Sequence, residues 1–137
     1  TYRHHPLEIV ITYALLLPVI IALGPPVVAV LLYQAIRGAV NVLSHSNIYI
    51  PESVNGWLTY FVVTTDFHRL HHSSDKNFTN SNYAPVLPWL DYLFGTATRR
   101  PFLEQESMEL GLEYARDPRD SRLDQMLLMP FKEYDRL

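Results

Sequence analysis

The sequence predicts an all-α membrane protein: a helical hairpin in lipid, then short interfacial helices bearing a histidine cluster, then a polar helical tail. Three observations predict it. No charged residue interrupts "IVITYALLLPVIIALGPPVVAVLLYQAI", Ile9 to Ile36, which is longer than the roughly 18 apolar residues that mark a candidate membrane helix. Gly24-Pro25-Pro26 breaks that stretch near its middle, because successive prolines remove helix donors and push the preceding residue out of helical space. Finally, "DFHRLHHSS" packs His68, His71 and His72 into five consecutive positions.

The hairpin is expected over about residues 6–43, with arms from about Pro6 to Leu23 and from Pro26 to Leu43. Within the Ile9 to Ile36 run only Thr12 and Gln34 interrupt, with Tyr13 and Tyr33 partly polar, whereas a soluble amphipathic helix shows a polar residue every third or fourth position. A hairpin wholly buried in a soluble protein is the plain alternative, but a chain of 137 residues is small to wrap one. Pro18 allows the first arm to tilt, kink or re-enter rather than cross. The stretch lacks a basic n-region and a small-residue cleavage site, so it does not read as a signal peptide. The start "TYRHHP" is unusual for a natural N-terminus, and the chain is expected to be a fragment.

"SHSNIYIPESVNG", residues 44–56, is turn-rich, with Pro51 and Asn55-Gly56 as punctuators. Next comes "WLTYFVVTTDFHRLHH", where Thr64, Thr65 or Asp66 offers an N-cap for a helix carrying the histidines. Residues 73–88 are polar and proline-containing, so a loop is expected. "WLDYLFGT" predicts a short helix ending at Gly95. Beyond Arg99-Arg100-Pro101 the chain becomes charged. There "LEQESMELGLEYARD" and "SRLDQMLLMPFKEYDRL" are helix candidates separated by "DPRD". Leu123, Met126, Leu127 and Phe131 stand at helical spacing, as a core-facing or membrane-surface stripe. The tail shows no chemistry of its own.

Composition narrows the function. A net charge of −3 and a pI near 6.0 give no basic face for nucleic acid. A mean hydropathy of −0.01 averages an apolar first half with a charged tail. With no cysteine, a bound metal must be held by nitrogen and oxygen.

On a helix, His68, His71 and His72 stand at i, i+3 and i+4, which puts them on one face. Unliganded, three imidazoles so close repel each time they charge, so metal ligation is the favoured reading over a solvated helix end. Arg69 occupies a position where HExxH zinc proteases need other chemistry, and no glutamate stands between the ligands. His5 precedes the first arm and His45 follows the second, so a hairpin returns both to one membrane surface, where the triplet can join them. The candidate metal ligands are therefore His5, His45, His68, His71 and His72. Iron, zinc and copper all suit imidazole, and spacing does not choose among them. Asp66, Asp75, Asn82 and Asp91 are candidates to orient the rings by accepting their other N–H; a helix cap or turn is the plainer role of the first three, and for Asp91, within "WLDYLFGT", both roles stay open. Arg69 either pairs with an acid near the metal or faces lipid headgroups.

Several motifs in order resemble the sterol desaturase and fatty acid hydroxylase superfamily of membrane-bound, histidine-rich di-iron oxygenases. "TYRHHPLE" looks like the family's T-A-x-R-x-H-P-L-E, which matches His5 and leaves His4 at a variable position. "LSHSNIYIP" resembles its segment with a histidine before Ser-Asn, at His45. "TTDFHRLHHS" resembles T-P-x-x-H-R-x-H-H-S, at His68, His71 and His72. "NYAPVLPWLDYLFGT" is similar to the N-Y-G then W-D-x-L-F-G-T ending, with Ala84 in place of glycine and the tryptophan one place early at Trp89. The likeness covers residues 1–98, the C-terminal part of such a domain, with 99–137 as a polar tail.

The resemblance implies iron as cofactor, two irons in the complete site, with zinc as a possible substitute. It implies dioxygen, a sterol or fatty acyl type of membrane lipid as substrate, and hydroxylation or desaturation of an unactivated C–H bond. It also implies an integral membrane protein with the site at the cytosolic face. Electrons would come from a separate donor, since no nucleotide or flavin fingerprint is present. The family's earlier HxxxH and HxxHH clusters are not in this sequence, so an additional segment or another chain is expected to complete the shell. The rival reading is a non-catalytic membrane metal-binding or structural module, zinc-loaded and without turnover.

Overall fold

The computed structural model describes residues 5–112 and 114–132. Within them the protein is all-helical, with eight α-helices, two 3-10 turns and no strand; a single antiparallel bridge joins Ser73 to Leu110. Thr1 to His4 of the first motif and residues 133–137 of the last helix candidate lie outside the described residues.

Helix α1 spans Pro6–Leu23 and α2 spans Val27–Ser44, each of 18 residues and each long and apolar enough to cross a membrane. At about 1.5 Å per residue each rises about 27 Å, close to the roughly 30 Å hydrocarbon layer. Proline at the first helical position and His5 as cap start α1, with the Leu7 N–H donating to His5 Nδ1 at 3.1 Å. Pro18 is accommodated within the helix. Gly24 ends it in the left-handed region at φ 58°, and its N–H donates to the Ile20 carbonyl at 2.9 Å. Such a cap needs a residue without a Cβ penalty. Pro25 and Pro26 then prevent continuation.

The chain forms two compact units. One holds residues 1–33 and 114–137, the other residues 34–113, so α2 begins in the first and ends in the second. In the first unit, a 3-10 turn at Pro118–Ser121 is closed by a capping box between Asp117 and Asp120, and α8, Leu123–Leu128, leads into a second turn at Met129–Phe131. Leu123, Met126, Leu127 and Phe131 are exposed.

The second unit carries α3 (Glu52–Leu58), α4 (Thr65–His71), α5 (Lys76–Thr79), α6 (Trp89–Phe94) and α7 (Phe102–Gln105). Its apolar core is small: Val40, Val63, Phe67 and Ala84, flanked by Val62, Val86, Tyr92 and Ala97. Buried polar side chains do much of the remaining work. Asn82, fully buried with φ 54°, donates to the carbonyls of Phe67 and Thr98 at 2.7 and 3.0 Å and accepts from the Thr98 N–H at 2.8 Å. Asp91 accepts from the N–H groups of Tyr83 and Ala84, both at 2.9 Å, and from the Thr96 hydroxyl at 2.7 Å. These bonds tie the loop after α5 and the segment after α6 against α4.

Three local expectations are corrected. The 44–56 connection is helical from Glu52, because Pro51 supplies a carbonyl that accepts from the N–H groups of Val54 and Asn55; Asn55-Gly56 sits inside α3 rather than in a turn. The 73–88 loop contains α5, started by Asp75 accepting from the Asn77 N–H at 2.9 Å. The first tail helix is reduced to α7. Residues 109–111 are drawn instead to the end of α4, where the Ser74 N–H donates to the Glu109 carbonyl at 3.0 Å and the Gly111 N–H to the His72 carbonyl at 2.9 Å. Those tertiary bonds outcompete a local helix that would contain Gly111, whose φ is 107°.

Candidate metal centre

Of the three N-caps offered by Thr64, Thr65 and Asp66, the histidine helix uses Thr64, whose hydroxyl oxygen accepts from the Phe67 N–H at 3.4 Å. That fixes the phase of α4: Phe67 and Leu70 turn into the interior, and His68 and His72, four residues apart, share another face. The start of α4 is tied to the end of α2 by the Thr65 hydroxyl, which donates to the Leu43 carbonyl at 3.2 Å. His45, one residue beyond α2, is thereby set against α4.

The result is a cluster of three imidazoles, His45, His68 and His72, whose donor atoms lie within 4.8 Å of one another. The Nε2 atoms are 3.2 Å apart for His45 and His68, 3.1 Å for His45 and His72, and 3.1 Å for His68 and His72. Two nitrogens each about 2.1 Å from one ion and about 95–100° apart at it are separated by about 3.1–3.2 Å, so the three donors fit a shared cation. Facing lone pairs at this distance repel unless a cation or proton lies between them.

The backs of the rings favour the same arrangement. Nδ1 of His45 donates to the Asn41 carbonyl at 2.8 Å, which fixes the proton there and leaves Nε2 unprotonated toward the cluster. Nδ1 of His68 is buried with no partner. Burial above all, then the neighbouring imidazoles, pushes His68 down to about 3. Burial followed by His45 and His71 pushes His72 down to about 4. Both rings are thus neutral at pH 7, the form that binds a metal.

His71 is on the same helix but directed elsewhere. Its Nδ1 donates to the Ser81 carbonyl at 2.9 Å, and its ring packs edge-on to Tyr83, with centroids 5.5 Å apart. The same partner logic leaves its Nε2 unprotonated, outside the three-histidine group. His5 lies in the first unit. There Nδ1 accepts from Leu7 and Nε2 donates to the Leu127 carbonyl at 3.1 Å. A neutral ring has one lone pair, so ligation by His5 requires this cap to be released.

The four candidate orienting side chains bond elsewhere. Asp66 accepts from the Asn55 side chain at 2.8 Å and, chiefly through burial, has its pKa raised. Asp75 caps α5, and Asn82 and Asp91 brace loops. Ring orientation falls instead to the carbonyls of Asn41 and Ser81. The first could have been suspected, since a side chain at a helix end readily reaches the carbonyl four residues back; nothing in the sequence marks the second. Nor does the sequence mark Leu110 and Gly111, which help to line a cavity of about 340 Å³ with His45, His72, Arg69 and the end of α2.

Residues 1–96 match the family model described as fatty acid hydroxylase. The chain belongs to the fatty acid hydroxylase family. Family membership, with three imidazoles converging and two apolar helices long enough to cross a bilayer, identifies a membrane-associated lipid hydroxylase or desaturase type of protein that works on lipid with dioxygen. No curated protein and no solved structure matches the chain.

Proposed function

We propose that this fatty acid hydroxylase family chain contributes a histidine site to an iron-dependent membrane oxygenase, which hydroxylates or desaturates a sterol or fatty acyl lipid from the cytosolic face. The observation that carries the reading is the triangle of Nε2 atoms at 3.1–3.2 Å, with His45 oriented from behind by a carbonyl. In this reading His45, His68 and His72 hold one iron. His71, aimed by Ser81, serves a second ion, and His5 and histidines outside this chain complete the shell. Bound iron supplies dioxygen activation and the attack on an unactivated C–H bond. Hydroxylation takes up dioxygen, two electrons and two protons per C–H bond and releases water, so a separate electron donor is required.

The protein's own part is to hold neutral donors and orient them, with His45 and His68 half-buried and His72 at the exposed edge. Burial prevents His68 from charging, the Asn41 carbonyl keeps the His45 proton on the far side of its ring, and the α2–α4 bond through Thr65 sets the two helices' histidines against each other.

The test is metal analysis of the chain purified from membranes, followed by incubation with lipid, dioxygen and a reductase-coupled electron donor. Iron bound through the histidines and iron-dependent oxidised lipid are the expected results. Tight zinc with no lipid oxidation on iron replacement would overturn the reading in favour of a metal-binding module without turnover.

A further inference from the structure

We propose that Arg69 anchors an oxyanion of the lipid substrate, a carboxylate or a phosphate, in the cavity beside the histidines. This rests on the proposed function and assigns its substrate chemistry. Arg69 lies on α4 between His68 and His72, and at i, i+3 it neighbours His72, with Cβ atoms about 5–6 Å apart. It lines the cavity of about 340 Å³ together with His45 and His72, a volume within the roughly 300–1,000 Å³ of small-molecule sites.

Among the described residues, no acceptor takes up the guanidinium. Its Nε is buried without an acceptor, and no hydrogen bond or ion pair among the described residues engages the group. Asp66 is close enough for the two charges to feel each other, yet its Oδ2 takes the Asn55 amide and its Oδ1 is unpartnered. A permanently charged, partly dehydrated fork without an acceptor is costly unless a ligand supplies one, and its planar donors match carboxylate or phosphate oxygens two at a time. Among the described residues of the cavity wall, Arg69 is the permanent cation, while Leu110 and Gly111 offer an apolar edge to an acyl chain.

The experiment compares binding of stearate and stearoyl lysophosphatidate with neutral methyl stearate and monostearin, by equilibrium dialysis against the full zinc-loaded chain in detergent. The anions should bind on the order of tenfold to a hundredfold more tightly, as a charge-assisted hydrogen bond allows. Preference for stearate identifies a free carboxylate, and preference for the phosphate identifies a headgroup. Arg69→Gln should abolish the preference at unchanged zinc content, and Arg69→Lys should restore part of it. In the unaltered protein, stearate or lysophosphatidate should also slow phenylglyoxal modification of Arg69, mapped by mass spectrometry, a readout that does not depend on a variant folding. Equal binding of neutral and anionic lipids, or a preference that survives Arg69→Gln, overturns the proposal. Failure of the chain to take up metal is a separate result, scored by zinc content, and leaves the anion comparison readable in the metal-free protein.

Discussion

Each histidine of the triangle contributes one lone pair that no protein donor uses, so each should matter to metal affinity and little to the apolar core. Changing His45, His68 or His72 singly to Ala is expected to weaken zinc binding by more than the 10–100-fold typical of losing an outer partner, as read by chelator competition. Unchanged affinity in any of the three would remove that residue from the site. His71→Ala should leave this first ion in place, because the His71 ring is held by Ser81 outside the triangle. Asn82 makes a different prediction. Its side chain meets two carbonyls and one N–H in a fully buried left-handed position, so Asn82→Ala should cost on the order of 3 kcal/mol, measured by chemical denaturation in detergent. Much of this site was legible in the sequence, since the i, i+4 spacing of His68 and His72 and the ordered motifs placed three donors. The orienting carbonyls were not, because every residue carries the same backbone oxygen.

At the scale of elements, two glycines with equal room around them should respond in opposite directions. A Cβ added at Gly56 or at Gly111 would meet no atom within 4 Å, so sterics do not separate them and backbone conformation must. Gly56 lies inside α3, where alanine removes conformational freedom from the unfolded chain; Gly56→Ala should stabilise by up to about 1 kcal/mol. Gly111 has φ 107° and donates to the His72 carbonyl, so Gly111→Val should cost about 1–3 kcal/mol. Melting temperatures in the same detergent test both signs, and two shifts of the same sign would contradict the assignment of α3 or of the 109–111 crossing. The glycines also show what sequence could not settle. Asn55-Gly56 carries a strong turn signal, yet the Pro51 carbonyl recruits it into a helix. "LEQESMELGL" has helical composition, yet its glycine is spent on a tertiary bond to the end of α4. Local propensity is a weak prior once long-range hydrogen bonds compete.

For the molecule as a whole, the decisive quantity is the apolar surface left uncovered on α1 and α2. Ile21 is 78 % exposed, Leu23 77 % and Val27 73 %, and no residue of α1 is buried. Water would not tolerate such surface on a stable monomer, whereas a bilayer removes the penalty and leaves every backbone bond satisfied within the helix. The chain should therefore stay with membranes through high salt and alkaline carbonate and be released by detergent. The stricter test places a charge near the middle of α1. Leu15→Arg adds about 2.5–3.5 kcal/mol to insertion on the translocon scale, on the order of a hundredfold in the partition. A glycosylation-mapping assay in microsomes should register that loss, while Leu15→Ile should insert as the parent does. If Leu15→Arg inserts equally well, lipid does not cover α1, and a second protein surface must take its place.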